Sequence, residues 1–129
     1  MKDFASTADR ILVSGIPDST PIITAVYYDC SRLRVTVEFE RWNGCVYIEF
    51  SGVEGFRVLD EGDLSNFYAD DNFWFRRIRT NGWLDEQRCL GGYLTAKTIE
   101  NLHEFVVLGQ DDCLNVFCFE EPRVSVESP

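Results

Sequence analysis

The chain has 129 residues, 45% hydrophobic and 14% aromatic, and its 22 acidic against 12 basic residues give a formal charge of -10 and a pI near 4.4. This length and apolar content suit a single domain, 1–129, with one sizeable core, and they exclude an intrinsically disordered chain. The acidity argues against nucleic acid and against membrane surfaces, whose phosphates it repels, and favours a basic protein as partner; solubility alone is the competing reading of the same charge.

In chain order, Phe4, Ala8, Ile11 and Leu12 fall near helical spacing and predict a short amphipathic helix over 3–12. Pro17 and Pro21 bound a loop. Residues 23–29, ITAVYYD, are rich in β-branched and aromatic types and predict a strand. Residues 31–41 alternate, with Leu33, Val35, Val37 and Phe39 on one face and Arg34, Thr36, Glu38 and Glu40 on the other. That is the pattern of a half-buried antiparallel strand. Asn43-Gly44 predicts a hairpin turn with positive φ, and 45–51 returns with Val46, Ile48 and Phe50 inward.

Glycines at 52, 55 and 62 break the next region. Within it, 56–59 predicts a short strand and Asp63 an N-cap of a short helix. Residues 73–84 predict a strand or irregular hairpin turning at Asn81-Gly82. Residues 103–109 and 113–121 predict a hairpin across Gln110-Asp111-Asp112, and 123–127 a final edge strand. The sum is an α+β protein: a mostly antiparallel sheet of five to seven strands with one or two short helices.

No apolar run near the N-terminus has signal-peptide length, and none elsewhere approaches a membrane span, so a cytoplasmic protein is expected. The five cysteines are odd in number, form no CxxC pair and sit mainly in strand-like runs, which predicts buried reduced thiols and no zinc site. There is no GxSxG, HExxH, P-loop or GxGxxG. The single histidine, His103, opens an apolar strand, a placement that favours a structural role over pairing with a thiol. Asp60-Glu61-Gly62-Asp63 has oxygens suited to calcium without the spacing of an EF-hand, and reads better as a solvated turn. Arg76, Arg77 and Arg79 read as counter-charges to Asp70, Asp71, Asp85 and Glu86 rather than as a phosphate site. Neither a metal nor a cofactor is expected.

One stretch stands out. From 54 to 71 the chain carries Glu54, Asp60, Glu61, Asp63, Asp70 and Asp71 against the single Arg57, half the formal charge of the molecule. Aromatics crowd the same region: Phe56, Phe67, Tyr68, Phe73, Trp74 and Phe75. Acids that steer a cationic partner, beside aromatics that anchor it, are the composition of a protein-binding surface. The expected partner-binding residues are Asp60, Glu61, Asp63, Tyr68, Asp70, Asp71 and Trp74. For Trp74, a core position is the competing reading.

Two segments carry a resemblance. VEFERWNGCVYIEFSGVEGFRVLDEGDL, 37–64, and HEFVVLGQDDCLNVFCFEEPRV, 103–124, resemble the paired strands, acidic corner and closing hairpin of small acidic immunity proteins of bacterial polymorphic-toxin and contact-dependent growth inhibition systems. The resemblance implies a non-enzymatic protein that binds and neutralises a basic toxin domain, such as a nuclease with a cationic cleft. Two alternatives stand beside it. One is an accessory module that pairs as a homodimer through an edge strand such as 123–127. The other is a small ligand-binding protein or enzyme with a pocket near His103.

Overall fold

The structure, a computed structural model, describes residues 7–60, 73–80, 82–85 and 101–129. Nine strands are described: β1 (Thr7–Arg10), β2 (Ile22–Asp29), β3 (Arg32–Glu38), β4 (Cys45–Ser51), β5 (Val53–Asp60), β6 (Phe75–Thr80), β7 (His103–Leu108), β8 (Asp112–Cys118) and β9 (Arg123–Glu127). They form a four-stranded sheet, in the order β2-β3-β4-β9, and a five-stranded sheet, in the order β1-β6-β7-β8-β5. All the pairings are antiparallel.

The alternation read in β3 and β4 sets the inner face of the four-stranded sheet. Leu33, Val35 and Val37 lie opposite Phe50, Ile48 and Val46, and all six are fully buried. They meet Phe75, Phe105, Val107, Leu114, Val116 and Cys118 of the other sheet in one continuous cluster. The Phe50 and Phe105 rings lie 5.7 Å apart across the interface. Each such buried side chain contributes about 1.5–3 kcal/mol, so this layer is the main stabilising feature of the sandwich.

The five-stranded sheet is covered on its second face too. Val106, Cys113 and Ile78 form a cluster there, and Phe117 packs with Leu84, Leu102 and Trp83. That explains why β8 does not alternate: every residue from Cys113 to Cys118 is buried. A carboxylate also lies on this face. Glu104, 2% exposed, accepts the backbone N–H groups of Trp83 (3.1 Å) and Leu84 (2.8 Å) and the Asn115 amide (3.1 Å). Asn115 Oδ1 in turn accepts Arg57 Nε at 3.1 Å, and the Arg57 guanidinium lies 4.3 Å over the Trp83 ring. The Glu104 carboxylate thereby caps the short helical turn at 83–85.

Several expectations are corrected. Where residues 3–12 suggested a helix, Thr7–Arg10 is a strand hydrogen-bonded to β6, and Ile11 N continues the pairing onto Phe75 O at 2.9 Å. Residues 3–6 lie outside the described residues. The sheet content exceeds five to seven strands, and the only helix among the described residues is the turn at 83–85. The Asn43-Gly44 turn does not use positive φ at either residue; Arg41 takes the left-handed conformation (φ 62°). Gly44 is needed for space instead, since a Cβ there would sit 2.4 Å from Glu127 O and 2.7 Å from the Trp42 ring. The strand expected over 56–59 spans Val53–Asp60, and the one expected over 73–84 is confined to Phe75–Thr80. The helix expected after Asp63 lies outside the described residues, as does Asn81.

Candidate partner-binding surface

On one side of the sandwich both sheets end in edge strands, β2 and β5. Two contacts fix how these edges lie. Val53 N donates to Ser31 O (3.0 Å) at one end, and Gln110 N donates to Pro21 O (2.9 Å) at the other. Between them the sheets do not close over the core. Val26 and Tyr28 lie opposite the fully buried Val35 and Leu33, so both point inward, yet they are 36% and 48% exposed. On β5, Val58 lies opposite buried Leu114 and is 44% exposed. The Tyr28 and Phe56 rings, 5.0 Å apart, bridge the seam. Val26, Tyr28, Phe56 and Val58 thus form an apolar strip between the two sheets.

Acids close this strip at its ends. Asp60 stands directly opposite Asp112 where β5 pairs with β8, and exposed Asp111 adjoins them. Like charges directly opposite each other on a sheet are destabilising, and they concentrate negative potential at this end of the strip. Exposed Asp29 ends β2 at the other end of the seam. On the far face of β2, Tyr27 is 66% exposed.

Of the residues expected in the interface, Asp60 is exposed at the end of β5 and belongs to this surface. Glu61, Asp63, Tyr68, Asp70 and Asp71 lie outside the described residues. Trp74 is placed in the core instead of on the surface. It is 4% exposed, edge-on to Phe39 at 5.8 Å and 5.3 Å from Phe75. The core reading holds for it: Trp74 directly precedes β6 and extends its pairing with β7, Trp74 O accepting Leu108 N at 2.7 Å, and its side chain belongs to the main core cluster. Sequence reasoning missed Val26, Tyr28, Val58, Asp111 and Asp112. A signal was present in β2, whose consecutive Tyr27 and Tyr28 make both faces apolar in a strand the topology leaves at an edge.

Two members of the basic run pair with acids other than the expected ones, of which Asp70, Asp71 and Glu86 lie outside the described residues. Arg77 Nη1 pairs with Glu121 at 2.7 Å and Arg79 Nε with Asp9 at 2.5 Å. Arg77 Nη2 also donates to His103 Nδ1. His103 lies directly opposite Cys118, a neighbour the sequence did not reveal. This is not an activated thiol–imidazole pair. Burial pushes the Cys118 thiol up to about 12, and it donates to Glu120 O at 3.3 Å. Burial, reinforced by the Arg77 guanidinium, holds His103 below its ordinary 6.5, and its Nδ1 is occupied by Arg77. The cavity beside it, lined by Arg77, Leu84, Leu102, His103 and Glu104 among others, is about 170 Å³. Small-molecule sites usually occupy about 300–1,000 Å³.

Among the described residues, no group of three or more His, Cys, Asp or Glu is placed to hold a metal ion, and no helix is long and apolar enough to cross a membrane. No family model, curated protein or solved structure matches the chain.

Proposed function

We propose that the protein is an immunity protein: a non-enzymatic inhibitor that binds a basic toxin domain and neutralises it. The observation that carries this reading is the seam between β2 and β5, an exposed apolar strip anchored by Tyr28 and ended by the like-charged Asp60 and Asp112 with Asp111. In sequence, the acid-rich stretch holding Glu61, Asp63, Asp70 and Asp71 continues directly from Asp60. Carboxylates on the rim accelerate the approach of a cationic domain, and a desolvated aromatic slows its release. Fast capture suits an inhibitor whose target acts catalytically.

The test is co-expression with the toxin domain encoded beside the gene. Growth should be rescued, and purified toxin activity should fall in proportion to added protein, reaching zero at equimolar ratio with a stable complex on size exclusion. Protection at strongly substoichiometric amounts would mean turnover and contradict a binding inhibitor; absence of both rescue and complex would reject the reading.

A further inference from the structure

The opposite side of the four-stranded sheet ends in β9, Arg123–Glu127, whose sequence is RVSVE. Its burial pattern is that of a free edge: every residue but Val126 is exposed, and Val124 is 37% exposed. Free edges offer unpaired N–H and C=O groups to another strand. Charged residues on an edge commonly guard it, and like charges would do so here. The β9 charges are opposite in sign and symmetric about Ser125. We propose that β9 pairs antiparallel with β9 of a second copy of this chain about a two-fold axis at Ser125, joining two four-stranded sheets into one continuous sheet.

In that register Arg123 faces the partner's Glu127, and Val124 faces the partner's Val126. Both relations repeat across the axis, so the surface is self-complementary, as a two-fold interface requires. Residues 123, 125 and 127 share the face on which Arg123 lies opposite Glu49 within the sheet. The charge pairs therefore form on the exposed outer face, with the valines continuing the inner face. The monomer leaves this side of Arg123 unused: among the described residues it has no ion-pair partner. Among the described residues, the Glu127 carboxylate accepts a hydrogen bond from the Tyr47 hydroxyl, at 3.4 Å. Self-pairing of β2, by contrast, sets no basic residue against Asp29. The proposal goes beyond the toxin-binding reading and uses the side of the sandwich away from the seam.

Sedimentation velocity at low salt, over protein concentrations up to about 1 mM, tests it. The unaltered protein should show a concentration-dependent dimer. Arg123→Glu and Glu127→Arg should each weaken dimerisation by about tenfold or more, because each sets two like-charge pairs across the axis. An equimolar mixture of the two variants should recover the dimer, since every introduced charge then faces its opposite. Thermal melts confirm that both variants fold. A protein monomeric throughout, single variants that dimerise like the parent, or a mixture no better than either variant alone would each overturn the proposal.

Discussion

Glu104 is the residue on which the second face of the five-stranded sheet depends. Its carboxylate accepts at least three N–H groups, from Trp83, Leu84 and Asn115. Glu104→Ala should destabilise the fold by about 3–5 kcal/mol, because it leaves those buried donors without an acceptor. Urea unfolding measures this; a loss under about 1 kcal/mol would contradict the assignment. His103 supplies a pH-dependent contribution. Its folded value lies below 6.5, so in the window beneath 6.5 the unfolded state binds more protons than the folded state. That stability is fully present above 6.5 and is lost progressively as pH falls below it. Melting temperature should therefore decline just below pH 6.5, and His103→Gln should remove that part of the decline. Neither role was legible in sequence. One histidine and one glutamate at the start of an apolar strand look alike until the register shows Cys118, Arg77 and the 83–85 turn around them.

At the scale of elements, the sequence was most readable where one face meets solvent. β3 and β4 alternate because their outer face is wet, and the turn residues before β8 and β9 are polar. β8 was recognisable by its flanking turns but not by its period, since both its faces are buried. β1 was misread because four apolar residues over 3–12 happen to fit a helical repeat, whereas the open edge of β6 decides the conformation of Thr7–Arg10. The β2–β3 turn was not anticipated. There Cys30 takes the left-handed conformation at φ 58°, which costs a residue with a Cβ about 1–2 kcal/mol. Cys30→Gly should raise stability by up to about 1 kcal/mol, since the glycine's greater unfolded-state freedom offsets part of the relief; an unchanged or lower unfolding midpoint would show the turn unstrained. Thiol accessibility follows the same elements. Cys30 is exposed, whereas Cys113 and Cys118 are buried free thiols. A thiol reagent should label Cys30 at once in native protein and reach Cys113 and Cys118 only on unfolding. Rapid native labelling of Cys118 would contradict both its burial and its raised pKa.

For the whole molecule, the two sides of the sandwich differ in kind. One carries the acid-ended seam between β2 and β5; the other ends in β9, with one charge of each sign at its two ends. Net charge favours a cationic partner on composition alone, and the density of acids directs attention to the neighbourhood of Asp60. It did not show that Asp111 and Asp112, some fifty residues away in sequence, would be brought beside Asp60, because that depends on the pairing of β5 with β8. Nor did aromatic content distinguish Trp74, which fills the core, from Tyr28, which stands in the seam. On the proposed reading, this seam captures a basic toxin domain. Stopped-flow association and dissociation rates against that domain, across ionic strength and with folding verified by melting, test it most directly. Asp111→Lys combined with Asp112→Lys should slow association and flatten its salt dependence, while Tyr28→Ala should mainly speed dissociation and cost about 2 kcal/mol of affinity. Association and dissociation rates unchanged in both variants would place the interface elsewhere on the protein and contradict the account.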